Sequence, residues 1–176
     1  MERIGSRRAY EGRFSSIRVD EFRYADGSTS EREVVAHPGA VAVIAHDDRH
    51  LYLVRQPREA VGEERLLELP AGKLDVEGES PLEAAKRELR EEVGRTAAEW
   101  RELKRFYSSP GFTDEEVWVF LATDLSEVPT EQDADERIEV VRHPLDELDA
   151  AIDECADAKS LVGLLLFRDM RRAGEA

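Results

Sequence analysis

Glu88, Glu91 and Glu92 fall within one helical turn of each other in the run Arg87-Glu88-Leu89-Arg90-Glu91-Glu92-Val93-Gly94. At about 3.6 residues per turn, positions i, i+3 and i+4 share one side of a helix, so the three carboxylates form a strip. Like charges at that spacing weaken a helix slightly. Two readings account for them. In one, a hard divalent cation, which takes oxygen ligands, removes the repulsion. In the other, the strip is a solvated face whose charges pair locally, Glu83 with Arg87 and Glu91 with Arg95, each pair four apart.

The elements that would position these residues follow from local pattern. Leu82, Ala85, Leu89 and Val93 repeat with helical period on an arc beside the carboxylates, so one side of the helix can pack while the acidic side faces elsewhere. Ser80 suits the N-cap, Pro81 the first turn and Gly94 the stop. Upstream, Leu66 to Gly72 reads as a short strand entering a glycine-bounded loop. Ala40 to Ala45 is apolar on both sides, as for a strand buried on both faces. Leu51 to Val54 is a second strand, leading into Arg55-Gln56-Pro57-Arg58. Guanidinium forks match phosphate oxygens, which makes Arg55 and Arg58 candidates for phosphate contacts; equally, they are two arginines at a strand end. Trp100–Tyr107, Val117–Ala122 and Ile138–Val141 read as further strands, and helices are predicted from Pro144 through Ile152 and from Ser160 to Met170. Near the N-terminus, the stretch Arg13–Tyr24 and Glu33–Val35 flank an Asp26-Gly27 turn, the pattern of a hairpin. Glu127 to Glu136 has no apolar period and reads as an exposed acidic loop.

A chain of 176 residues can enclose one sizeable core. Its net charge of -15 argues against a broad nucleic-acid or anionic-membrane surface, both of which need clustered Lys and Arg. No apolar run reaches the length of a membrane span, and the first residues lack the apolar stretch of a secretory signal, so a cytoplasmic protein is expected. The single cysteine, Cys155, cannot form an internal disulfide, and His37, His46, His50 and His143 lack the paired spacing of a zinc site.

The acidic run, with Glu79 eight residues before Arg87 and Gly72 opening the loop, resembles the signature of the Nudix hydrolases. Together with HPGAVAV, VRQPR, ELPAGKLD and SPGFTDE, the resemblance extends to the ADP-ribose pyrophosphatase branch and covers Phe14 to about Leu148. Two departures stand in the signature. Six residues separate Gly72 from Glu79, one more than the family sets, and Arg95 follows Gly94 where the family is aliphatic, which implies looser packing at the helix end. Pro57 stands where such proteins often carry an aromatic residue.

The resemblance implies an α/β fold, a Nudix-type α/β/α sandwich with a mixed β-sheet and an N-terminal β-hairpin extension. On that template residues 1–36 form the extension, used in dimers, and residues 37–176 the hydrolase domain. It implies magnesium as cofactor, with manganese a possible substitute, held by Glu88, Glu91, Glu92 and the carbonyl of Ala71. Arg87 would orient a carboxylate and Glu79 support the loop. The catalytic base lies in the acidic loop of such enzymes, where Glu136 matches best and Glu131, Asp133 and Asp135 are alternatives. Arg55, Arg58, Glu68 and Pro110 would face substrate; a proline near the offset of Pro110, sixteen residues beyond Gly94, tends to mark ADP-ribose hydrolases. The implied activity is hydrolysis of ADP-ribose, a small-molecule nucleoside diphosphate, to AMP and ribose 5-phosphate by a homodimer. Another nucleoside diphosphate sugar or a dinucleotide is the nearest rival substrate, and a ligand-sensing domain without catalysis is the rival of a different class. RNA cap removal fits poorly with the negative charge.

Overall fold

The computed structural model describes residues 1–12, 15–130 and 137–175, which divide into two compact units, one of residues 1–39 and 106–116 and one of 40–105 and 117–176.

The first unit holds a three-stranded antiparallel sheet of β1 (Glu2–Glu11), β2 (Ser16–Arg23) and β3 (Thr29–Ala36), in that order. The expected hairpin is its β2–β3 half, turning at Gly27 with φ 84° while the Asp26 carboxylate accepts the Ser28 amide at 3.0 Å. β1 had no counterpart in the sequence reading. Its side chains are mostly polar and exposed, so no alternation marks it, and its ladder to β2 from Glu2↔Arg23 to Glu11↔Ser16 defines it instead. Beneath this ladder the buried Asp20 accepts from Ser6 Oγ at 2.6 Å and Arg18 Nε at 2.8 Å. The segment 106–116 closes on β3 through Val35, whose amide donates to Phe112 and whose carbonyl accepts from Thr113 Oγ1.

The second unit is built on a mixed sheet. Its strands are β4 (Ala40–His46), β5 (His50–Arg58), β6 (Glu63–Glu68), β7 (Ala71–Lys73), β8 (Arg95–Tyr107), β9 (Glu116–Glu127) and β10 (Glu139–Pro144). The order is β10-β5-β4-β9-β8, with β6 pairing β5 and β7 pairing β4. β4 runs parallel to β9 and antiparallel to β5. Because β4 is covered on both faces, it is apolar and buried at every position from Ala40 to Ala45. Helix α1 (Pro81–Val93) lays Ala84, Ala85, Leu89 and Val93 on the face formed by Val41, Val43, Tyr52, Val54 and Phe120. The alternate residue Ile44 faces the other side, where α2 (Leu148–Glu154) and α3 (Ala158–Ala173) lie. There Gly163 lets α3 approach so closely that a Cβ would stand 2.5 Å from the Leu69 side chain. A sandwich of helices on both faces of a mixed sheet is the architecture expected. One local difference is the helix expected from Pro144, which begins as a single 3-10 turn, Leu145–Glu147, before α2.

Candidate active site

Two short segments meet on the α1 face of the second unit. The first is α1, whose start is fixed by a reciprocal cap in which the Glu83 amide donates to Ser80 Oγ at 3.3 Å and the Ser80 amide to Glu83 Oε2 at 2.9 Å. Gly94 ends it at φ 66°, its amide donating back to the Arg90 carbonyl. The second is the turn Glu68-Leu69-Pro70-Ala71, held to the sheet where Val43 donates to the Pro70 carbonyl at 2.8 Å.

Arg87 joins the loop to the helix. Its Nε and Nη2 reach the two oxygens of Glu79 at 3.0 and 3.1 Å, and its Nη1 reaches Glu88 at 2.6 Å and Glu91 at 3.0 Å. Glu79 and then the nearby Glu88 and Glu91 raise the guanidinium's pKa further, against the effect of burial, so the arginine is a permanent cation here. Glu88 lies flat over Gly72, where an added Cβ would stand 1.8 Å from its Oε1. Glu92 is buried, 4% exposed, and its Oε2 accepts the Ala71 amide at 3.0 Å. The helix strip is therefore not a solvated face. It is turned onto the loop, with Glu79, Glu88 and Glu91 set against one guanidinium and Glu92 on the Ala71 amide.

A hard divalent cation fits this donor set. The groups are all oxygen, and three carboxylates around a single arginine, with Glu92 one helical turn from Glu88, leave negative charge that a cation would neutralise. Among the described residues no three His, Cys, Asp or Glu side chains already stand as a ready-made cage, since Arg87 occupies the centre of three of the carboxylates.

The arginines expected to meet phosphate are both engaged by carboxylates. Arg58 grips the buried Glu68 in a fork, Nε to Oε1 at 2.5 Å and Nη2 to Oε2 at 2.7 Å, and Lys159 of α3 reaches the same Oε2 at 2.7 Å. Arg55 pairs with Glu154 and lines a cavity of about 400 Å³ with Pro57, Arg65 and Arg137. Pro110 belongs to the first unit, in the loop closed by the bond from the Ser108 amide to the Glu115 carbonyl. Glu136, like its alternatives Glu131, Asp133 and Asp135, lies outside the described residues.

One participant escaped the sequence reading, and another was read differently. Lys159 is 91 residues from Glu68, and no local pattern links them. Arg95, expected to loosen the helix end, is instead 8% exposed, with its guanidinium 5.2 Å from the Tyr52 ring centre and 3.1 Å from Glu127. The guanidinium itself lies against the Tyr52 ring and pairs with Glu127, so the charge is held at the helix end by a cation–π contact and an ion pair.

A model of the NUDIX domain matches residues 35–162. The chain is 41% identical over 162 residues to an ADP-ribose pyrophosphatase of Bacillus subtilis, covering 89% of this chain and 86% of the relative. It is 48% identical over 128 residues to an ADP-ribose pyrophosphatase of Mycobacterium tuberculosis, an alignment spanning 72% of this chain and 61% of that relative's length. In fold it is similar to a solved ADP compounds hydrolase, with a TM-score of 0.85 at 24% identity over 99% of this chain and 96% of that one. The loop-and-helix carboxylate cluster, the domain match over most of the chain and these identities lead to one conclusion: the chain belongs to the Nudix hydrolase family.

Proposed function

We propose that this protein hydrolyses the pyrophosphate bond of ADP-ribose, giving AMP and ribose 5-phosphate, with magnesium as its cation. The observation that carries this reading is the convergence of Glu88, Glu91 and Glu92 with the Ala71 turn. The names of the two pyrophosphatase relatives supply the substrate.

A diphosphate repels an incoming nucleophile, so cleavage needs positive charge on its oxygens and a base for the water. Bound magnesium would supply charge neutralisation of the diphosphate, and Glu88, Glu91, Glu92 and the Ala71 carbonyl would hold it. Arg87 keeps Glu88 and Glu91 at fixed positions and ties both to Glu79, so the carboxylates are set before substrate arrives. Glu92 does the same for the turn through the Ala71 amide. Arg58 contacts a phosphate oxygen, and Arg55 is read in the same role. Pro110 is read as the mark of ADP-ribose as substrate. Glu136 takes the proton of the attacking water, and one water divides the bridge into two phosphate monoesters.

A panel of ADP-ribose, other nucleoside diphosphate sugars and dinucleotides, assayed with magnesium and with a chelator, tests the reading. The expected result is the highest kcat/KM on ADP-ribose and no hydrolysis with the chelator. A preference for another diphosphate would replace the substrate, and chelator-resistant turnover would end the metal assignment. Glu136→Gln is expected to slow turnover at least about tenfold while binding substrate and magnesium as before, since a base acts in the chemical step. A rate equal to the parent's would shift the base to Glu131, Asp133 or Asp135.

Residues 1–36 are read as a dimerisation element and 37–176 as the hydrolase domain. The long exposure of β1, an edge strand of the N-terminal sheet, supports this, because such edges are commonly covered by another chain. Light scattering should return twice the 19.9 kDa of the chain, and a monomer mass would end the dimer reading.

A further inference from the structure

Glu68 is a charged side chain with none of its surface exposed, an arrangement that is costly unless each oxygen is bonded. Both are. Arg58 spans the two oxygens, and Lys159 adds a second bond to Oε2. Lys159 is itself held by Asp157 at 2.9 Å, and the Asp157 carboxylate accepts from Ser160 at both its amide and its hydroxyl. The Ser160 hydroxyl in turn accepts the Leu69 amide at 2.8 Å. The start of α3 thus grips consecutive residues, Glu68 and Leu69, immediately before the Pro70-Ala71 turn, while α1 grips Ala71 from the other side through Glu92.

The fork is side-on. With Nε and Nη2 committed to Glu68, the Nη1 edge of Arg58 faces away from that carboxylate, and 40% of the side chain remains exposed. The bond to Glu68 keeps the guanidinium's pKa raised against the effect of burial, so Arg58 stays a cation at the residue that opens the Glu68–Ala71 turn. An arginine on a flexible stem surrenders rotamer entropy when it binds phosphate, and a fixed guanidinium has already surrendered it.

We propose that Glu68 is a positioning residue, not a substrate contact: it holds Arg58 with its free edge toward a phosphate oxygen of the diphosphate, and Lys159 is the second cation that anchors the buried carboxylate. The proposal rests on the reading of the site as a nucleoside diphosphate hydrolase. It gives α3, which carries none of the family's signature, a direct part in substrate affinity.

A double-mutant cycle with ADP-ribose and magnesium tests it. Glu68→Gln should raise KM about tenfold with kcat within about threefold, because a binding group has lost its orientation. Lys159→Met should raise KM about two- to threefold, since the fork survives without its anchor. In an Arg58→Gln background both changes should have no further effect on KM, because the residue they act through is gone. Thermal midpoints are recorded for every variant; if Glu68→Gln does not fold, the Lys159→Met and Arg58→Gln pair decides alone. An unchanged KM in the single variants, or the same KM rise with and without Arg58, overturns the proposal. A parent protein that cleaves no diphosphate on the panel removes the underlying reading and the proposal with it, whereas an active parent with a flat KM removes only the proposal.

Discussion

Glu92→Gln is expected to lose on the order of a hundred- to a thousandfold in kcat for ADP-ribose while folding as the parent does, the scale of losing one charged group that stabilises the transition state. The separation of the two effects comes from geometry. Glu92 accepts the Ala71 amide at 3.0 Å, and a glutamine Oε1 can accept the same bond, so the turn keeps its anchor. Only the charge disappears. It disappears from a side chain that is almost wholly buried and stays bonded to the turn. The thermal midpoint without metal should therefore stay close to the parent's. Adding magnesium should raise the parent's midpoint more than the variant's, because a ligand stabilises in proportion to its affinity for the folded state. Undiminished turnover in this variant would refute the metal assignment.

Gly72→Ala is expected to reduce kcat about a hundredfold with a stability change within about 1 kcal/mol, because displacement of a catalytic group by an ångström has that scale and the added methyl meets the Glu88 side chain before any other. A Cβ at this position would stand 1.8 Å from Glu88 Oε1 and 1.9 Å from its Cδ. Those atoms end a flexible side chain, which can rotate away, and Gly72 is not among the residues with positive φ, so the backbone tolerates alanine. The rotation, however, takes the carboxylate from its 2.6 Å bond with Arg87 and from its place over the loop. Gly94 is the opposite case. Its φ is 66°, and a Cβ there would meet the Val128 carbonyl at 2.9 Å, an obstacle that cannot swing aside, so alanine at that position would act on the fold first. Parallel measurement of kcat and denaturant midpoint for Gly72→Ala separates the two kinds of glycine. A loss of stability with kcat retained would show that Glu88 does not depend on the flat approach.

Elements with a strong local code were legible in advance. The helix over Pro81–Val93 carries its apolar arc within its own residues and its cap and stop in the residues that flank it, and the β4 core strand is apolar from Ala40 to Ala45 because both of its faces are covered. β1 carries no such code. Its exposed polar residues alternate with nothing, and only the ladder to β2 makes it a strand. Arg95 misled for a related reason. A charged residue at an aliphatic position suggests a loosened helix end until Tyr52, 43 positions earlier in the chain, supplies a ring for it to stack on.

By itself the sequence determined the carboxylate strip, the helix that bears it, the glycine-bounded loop before it and hence the family, because helical period and capping act over a few neighbouring residues. Tertiary structure alone decided where the strip faces and what secures it: Arg87 binding Glu79 across eight residues, Glu92 on Ala71 across 21, and Glu68 on Lys159 across 91. Such bonds depend on burial and on the packing of distant elements against one sheet. A charged side chain has the same letter in water as in the interior, and only the fold determines which partner its burial requires.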